Sequence, residues 1–600
     1  MTAFFGAIFN SSHELAKKDL FEESKNLLVK NVKNNIFSVN SQKCFLHLSG
    51  DSQFNPLEFP ERFCTHSPII SGSIFRRDTM EPPPYIHHEL HKASMDNKLA
   101  SVLIEKYWGE YLIFNFRKDD DTVDIYRDPS GMAHIYYSIN EQGLFFSSDV
   151  YLLLEIFGQN KSNYNWDWEY IASYLSLGIL NTPKTAFKGI HELLPGTFLR
   201  YIKGNLSIKC FWEPVSYIKP ISYNPLDLSI AQLLQKVCVA LTKNLPDVFL
   251  ELSGGLDSSA LFLTLNSVLK ENQKFTQVNY YHPQVGGSNE LSHIKNLLKK
   301  YTSNLMIQKF EYLFKPCCTK MWSKPHPGIM RTTSKINLRE SVGIETFTLI
   351  NGDGGDQLFL SHISQKVVSD YIIDKGLRGS YSFLKNICLA NQDLLMKYLS
   401  STLKDIYKYY THSYELAHTP YPPQLLSLTP ELKALIETSI FKPPFWDKLI
   451  VQKIPPAKLN QILVLYHSSA FSNSTYTGIK QMSPYLSQPM IEHCLAIPCH
   501  TSFNKGTSRW HFKKEIAQLY NNNEIWNTFK GDSTGVRNLS IKNGINDVKS
   551  ILLDGQLVKE GLFDKDRLEN YINLVASGQC NHLWFIYHLL SLELWIAGFD

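Results

Sequence analysis

The sequence has no long uninterrupted apolar run, no excess of charge and no patterned cysteines. Each absence closes off a class of protein. Its most apolar late stretch, Leu583 to Ile596, is interrupted by His588 and Glu593. A bilayer-spanning helix needs about 20 apolar residues, so a buried terminal helix is expected instead of a membrane span. Lys and Arg number 60 against 56 Asp and Glu, a net charge of +4. That is too little to draw the chain to nucleic acid or an anionic membrane. Ten cysteines occur without a C-x-x-C pair, and Cys317 and Cys318 are adjacent. Neither a disulfide framework nor a zinc site is expected from such spacing; free thiols in a reducing cytosol are. The first residues lack a basic stretch followed by an apolar core, so no secretory signal is expected and the expected location is cytoplasmic. Internal repeats and low-complexity tracts are missing too. What is present is an ordinary globular composition, 44% hydrophobic and 19% charged over 600 residues. That length suits roughly two to four domains, each able to bury a core.

Val248-Phe-Leu-Glu-Leu-Ser-Gly-Gly-Leu-Asp-Ser-Ser259 is the most informative stretch. Val248 to Leu252 reads as a buried strand, Ser253 to Leu256 as a tight turn, and Asp257 onward as a helix start. A strand, a Gly-Gly loop and a helix N-terminus in that order can hold a phosphate. Glycine allows close approach of backbone N–H groups, and the helix end adds partial positive charge. Asp257 suits a Mg2+ beside that phosphate better than the bare anion. The Walker pattern and the dinucleotide fingerprint are both missing. Three small residues in a row could serve an ordinary strand-turn-helix corner, but such a corner would not need all seven of these positions in this order. Ser-Gly-Gly-Leu-Asp-Ser-Ser resembles the PP-loop of ATP pyrophosphatases, which split ATP into AMP and pyrophosphate. The resemblance implies ATP or pyrophosphate contacts from Leu252, Ser253, Gly254, Gly255, Asp257, Ser258 and Ser259.

Two further stretches fit that reading. Asn351-Gly-Asp-Gly-Gly-Asp356 follows the apolar run Phe347 to Ile350. Two carboxylates on a glycine-rich loop suit Mg2+ shared with phosphate oxygens. In asparagine synthetases a similar loop ends in a metal-binding Asp. Carried over, Asp356 joins Asp257 on the metal, Gly352 and Gly354 line the nucleotide, and Asp353 takes an orienting or base role. Lys530, in Phe-Lys-Gly-Asp-Ser-Thr-Gly535, matches a late lysine of the same family that neutralises charge growing on the α-phosphate. Such an aimed cation counts most in the transition state.

From about residue 226, helical and strand-like runs alternate, which argues for a parallel sheet wrapped by helices. Predicted elements are helices over 226–241 and 290–301 and strands over 248–252, 275–281 and 347–350. Residues beyond about 365 read as helix-dominated, with proline-rich interruptions at Pro420–Pro423 and Pro443–Pro444. The first 215 residues read as strand-rich, with runs at 3–9, 109–116, 123–126 and 144–146. Met1-Thr-Ala-Phe-Phe-Gly6, Gly109-Glu-Tyr-Leu, Arg127-Asp-Pro-Ser-Gly131 and Phe146-Ser-Ser-Asp149 resemble the glutaminase domain of asparagine synthetases. Thr2 stands where that family has its nucleophilic cysteine, and Ser71-Gly-Ser-Ile-Phe-Arg76 lacks the amide and carboxylate of its glutamine site. Glutamine hydrolysis is therefore not expected. Glu213 to Pro225 holds three prolines and reads as the linker.

The expected fold is an α+β N-terminal-nucleophile-like (αββα) domain, 1–215, followed by an α/β PP-loop ATP pyrophosphatase domain with a helical C-terminal part, 216–600. Ser483 to Pro498 departs from asparagine synthetase and resembles the lasso-peptide macrolactam cyclases, and Gly506 to Arg509, the Lys530 loop and Leu590 to Trp595 agree with that resemblance. The resemblance implies ATP and Mg2+ as cofactors and a precursor peptide as substrate. A leader peptidase and a leader-recognition protein are its implied partners. Other amide synthetases of the superfamily, ammonia-dependent or β-lactam-forming, and a peptide-binding scaffold without activity remain alternatives.

Overall fold

The computed structural model describes residues 3–10, 14–31, 36–40, 44–49, 68–117, 122–159, 164–177, 181–218, 228–281, 285, 290–301, 303–309, 323–326, 328–329, 332–361, 366–391, 395–411, 413, 430, 434, 443, 445–468, 479–504, 506–528, 534–579 and 583–599. Cys317 and Cys318, Thr2 and Lys530 lie outside them.

Two antiparallel sheets occupy the first part of the chain. One runs β2-β3-β1-β8-β7-β9 and contains β1 (Phe4–Phe9), β2 (Ile36–Asn40), β3 (Cys44–Ser49), β7 (Tyr136–Asn140), β8 (Gly143–Ser147) and β9 (His191–Glu192). The other runs β11-β10-β6-β5-β4 and contains β4 (Ile69–Arg76), β5 (Tyr107–Arg117), β6 (Thr122–Arg127), β10 (Thr197–Ile202) and β11 (Asn205–Cys210). Side chains alternate across a strand, so a strand buried on both faces must be apolar throughout. Strand β1 shows this. Phe4 and Ile8 join Leu112, Phe114 and Phe146 between the sheets. Phe5, Ala7 and Phe9 point the other way, into a core shared with helices. On the outer face of the second sheet, Ile86, Leu90, Leu99 and Leu103 from two helices cover Ile70, Ile74 and Tyr111. The result is four layers, as expected of the first domain.

A third sheet, β14-β13-β12-β15-β16, lies in the second part and is wholly parallel. Its strands are β12 (Asp247–Glu251), β13 (Lys274–Tyr281), β14 (Leu305–Lys309), β15 (Phe347–Ile350) and β16 (Ile479–Met482). The chain builds outward from β12 in one direction, then returns to place β15 on its other side. Between β12 and β15 the strand order reverses, and ligands of open α/β sheets bind beyond the strand ends at such a point. Both glycine-rich loops emerge there.

The region beyond residue 365 is dominated by helices, as expected, and also supplies β16, which completes the sheet. The expected linker is ordered at its start. Pro214–Tyr217 forms a 3-10 turn with Pro214 and Val215 buried, since Pro at a first helical position costs no hydrogen bond. The C-terminal Leu583–Ala597 helix is buried nearly all round. It packs with the helices of the first part on the outer face of the first sheet, so the two parts share one core. No helix among the described residues is long and apolar enough to cross a membrane.

Candidate active site

The loop after β12 is shaped by what surrounds it. Leu252 extends the ladder by one residue, its N–H donating to Val278 O at 2.8 Å. Gly254 has φ +78, and a Cβ there would sit 3.2 Å from Glu290 Cβ and 3.3 Å from Ile294 Cγ1, so glycine answers both demands. Gly255 caps the Leu256–Val268 helix without a side-chain bond. The cap residue itself therefore takes none of the first-turn N–H groups with a side chain. Ser258 turns back to bind the loop: its Oγ accepts from Ser253 N at 3.2 Å and donates to Gly255 O at 3.2 Å. Ser253 is exposed at the mouth, whereas Ser258 and Ser259 are buried.

The loop after β15 is pinned from below. Asn351 Oδ1 accepts from Asp353 N at 3.2 Å and from Ser483 Oγ at 2.6 Å. Gly354 has φ +89 and lies against Leu486, 2.4 Å from where a Cβ would stand. The two loops interlock around Asp257. A Cβ on Gly352 would meet Asp257 Cβ at 3.2 Å, and one on Gly355 would meet Asp257 Cγ at 2.6 Å. Tyr485, fully buried, donates its hydroxyl to Asp257 O at 2.9 Å. Burial pushes that phenol well above its ordinary pKa, which keeps it a donor. Phe359 stacks on Phe512 with centroids 3.8 Å apart, tying the second loop to the Trp510–Tyr520 helix.

Asp257 and Asp356 meet at one point, and a guanidinium stands there. Arg509 Nη1 lies 3.1 and 2.9 Å from the two Asp257 oxygens and 3.1 Å from Asp356 Oδ1. Two carboxylate groups converging on one cation form a donor set that fits Mg2+, which takes one or two protein carboxylates and completes its shell with water and phosphate. No group of three or more His, Cys, Asp or Glu among the described residues could hold a metal unaided. Asp353 is exposed at the loop tip. Arg509 and Tyr485 were not read from the sequence as site residues.

The first part carries the resemblance in framework positions. Arg127 is fully buried. It donates to Glu192 Oε1 at 2.8 Å and to Gly131 O at 2.9 Å. Asp128 accepts from Gly131 N at 2.9 Å and Ala133 N at 3.1 Å, closing the turn between β6 and β7. Burial would raise the pKa of Glu192. Lys324 and Arg127 outweigh it and hold the carboxyl well below the usual range. Lys324 comes from the second part of the chain, so this buried charge cluster spans both. Ser71 to Arg76 belongs to β4, where Gly72 (φ +104) comes against Glu110 O.

Comparison with known proteins places these features in a family. The asparagine synthase family matches residues 230–597, and a glutamine amidotransferase domain matches residues 96–212. Glutamine-hydrolysing asparagine synthetase 3 of Bacillus subtilis (strain 168) is 27% identical over 250 residues, which are 37% of this chain and 40% of that protein. The match thus spans less than half of that relative. Glutamine phosphoribosylpyrophosphate amidotransferase from B. subtilis, solved with ADP and GMP, is 11% identical, covers 53% of this chain and 77% of its own, and has a TM-score of 0.21. An allosteric regulatory enzyme of purine biosynthesis is 10% identical, covers 58% and 83%, and has the same TM-score. Superpositions that loose carry no argument here. The family match takes in most of the chain, including both site loops and the Arg509 segment: the chain belongs to the asparagine synthase family.

Proposed function

We propose that this chain is an ATP-dependent carbon–nitrogen ligase that releases AMP and pyrophosphate, and that it closes a macrolactam ring in a peptide. The observation that supports the reading best is the meeting of Asp257 and Asp356 at the switch point of the parallel sheet. The loop Ser253 to Ser259 acts as the pyrophosphate cradle of a PP-loop, with Ser253 at the mouth and the first-turn amides behind it. Bound Mg2+ would be held by Asp257 and Asp356 and would supply charge neutralisation for the departing pyrophosphate. A carboxylate oxygen of the substrate attacks the α-phosphorus as the bond to pyrophosphate breaks. An amine then attacks the acyl carbon, loses its proton, and AMP leaves. Lys530 steadies charge on the α-phosphate, and Asp353 orients the acid or accepts the amine proton.

Peptide specificity is the finer part of the reading. It rests on the likeness of Ser483 to Pro498, Gly506 to Arg509 and Leu590 to Trp595 to lasso-peptide cyclases. The acid is then an Asp or Glu side chain of a leader-free precursor, and the amine is that peptide's own N-terminus. A leader peptidase and a leader-recognition protein supply such a peptide. Holding acid, amine and threaded tail together removes the entropic part of the barrier. The first domain serves as framework rather than glutaminase.

ATP–pyrophosphate exchange tests the reading. It is expected with a peptide that bears a free N-terminus and an internal Asp or Glu, and the product should have lost one water. A second reading, asparagine formation, is favoured by the name of the B. subtilis relative; exchange with free aspartate and not with peptide would establish it. No exchange with either acid would leave a binding scaffold.

A further inference from the structure

Arg509 is the feature of this site that the proposed reaction does not use. It precedes the Trp510–Tyr520 helix with φ 55 and ψ 32. A non-glycine residue rarely adopts this left-handed conformation, and where one does, the surrounding structure imposes it. The backbone twist aims the side chain into the loop pair. One nitrogen, Nη1, contacts three carboxylate oxygens of Asp257 and Asp356. The side chain is only 11% exposed, against 15% for Asp257 and 31% for Asp356. Its Nε is buried without a hydrogen-bond partner among the described residues. A guanidinium at rest in a permanent structural pair would ordinarily use its fork on two acceptors at once. Here a single nitrogen, Nη1, makes all three carboxylate contacts, and the buried Nε–H has no hydrogen-bond partner among the described residues.

We propose that Arg509 is a built-in counter-cation that keeps the Asp257–Asp356 pair closed to free divalent ions, so that metal enters only together with the nucleotide's phosphates. The inference rests on the reading of this pair as the metal site. Charge supplies the reason. Arg509 Nη1 occupies the point on which the carboxylate oxygens of Asp257 and Asp356 converge. A bare divalent ion must either displace the arginine or crowd a cation against it, and like charges at this distance and burial repel strongly. A triphosphate carries more negative charge than one magnesium ion neutralises, so with phosphates present both cations can remain. The order of binding then follows from the site itself.

Mn2+ binding to the full-length protein, followed by electron paramagnetic resonance, tests this without turnover. Wild type is expected to bind Mn2+ weakly alone and tightly with α,β-methylene-ATP. Arg509→Asn removes the cation while Asn tolerates the left-handed backbone. It should bind Mn2+ alone roughly tenfold or more tightly than wild type, and the gain should vanish when Asp257→Asn is added. Arg509→Gln, of similar length, serves if the Asn variant does not fold, and Arg509→Lys should keep the wild-type weakness. Equal Mn2+ affinity in wild type and Arg509→Asn overturns the proposal, as does a gain that survives Asp257→Asn. The underlying reading is scored separately. If Asp257→Asn alone leaves Mn2+–nucleotide binding unchanged, the pair is not the metal site and both ideas fall. If it abolishes that binding while Arg509→Asn changes nothing, only the gating idea falls.

Discussion

Glycine at 355 is dictated by a neighbour and not by a turn. Its φ is not positive, yet a methyl group there would stand 2.6 Å from Asp257 Cγ. Gly355→Ala must push that carboxylate off the point it shares with Asp356. Displacement of about 1 Å can cost about 100-fold in rate. ATP–pyrophosphate exchange should fall by about that factor while the melting temperature moves little; unchanged exchange would show that Asp257 need not stay where it is. Asp257→Asn and Asp356→Asn should each abolish exchange. Tyr485→Phe removes the hydrogen bond to the Asp257 carbonyl, and a loss of about 1 kcal/mol in urea unfolding is expected. Of these residues, Asp257 and Asp356 were singled out in the sequence because each sits in a short motif whose chemistry is local, whereas Gly355 was not named as a site residue. Neither were Arg509 and Tyr485. Each lies far along the chain from the loops it touches, and nothing near Tyr485 or Arg509 in sequence marks it as bound for an aspartate.

Elements were legible where their pattern was strong. The apolar run before Ser253 and the one before Asn351 became β12 and β15 within a residue of expectation. Strand β16 was missed, since Ile479-Lys-Gln-Met482 is only four residues long and its lysine and glutamine mask any alternation. Its place is set by pairing with β15, a long-range contact that periodicity does not carry. The Pro456–Ser468 helix offers a pH test. Asp370 accepts from Ala457 N at 2.8 Å and Lys458 N at 3.2 Å at its start. Burial pushes the Asp370 carboxyl up to about 7, those two hydrogen bonds offsetting only part. With the folded value above the unfolded one near 4, the proton on Asp370 stabilises the fold fully below about pH 4, and this is lost as pH rises through about 7. Asp370→Asn should flatten the dependence of the urea midpoint on pH between those limits. An identical slope in both proteins would show that Asp370 titrates normally.

At the scale of the molecule, composition and the change from antiparallel to alternating pattern foretold two architectures, but not how tightly they join. Glu492 shows the join. It accepts from Trp212 Nε1 at 2.8 Å, Gln488 Nε2 at 2.8 Å and Arg77 Nη1 at 3.3 Å, so residues of both parts meet on one carboxylate. Its side chain is 5% exposed and that of Arg77 16%. Breaking such a pair from one side leaves a buried charge, at a cost of about 3–5 kcal/mol. Glu492→Ala should lower the denaturant midpoint accordingly, and Arg77→Met with Glu492→Leu should recover much of the loss. No recovery in the double variant would mean that Trp212 and Gln488 carry the contact.

The Leu583–Ala597 helix puts Trp595 5.8 Å from Trp166 and Ser591 Oγ 3.0 Å from the Tyr174 hydroxyl. Those partners leave the ribosome long before it does. At roughly 5–20 residues per second, the nascent first sheet waits on the order of half a minute for its outer cover. Until the Leu583–Ala597 helix emerges, Phe5, Ala7 and Phe9 have an unfinished lining.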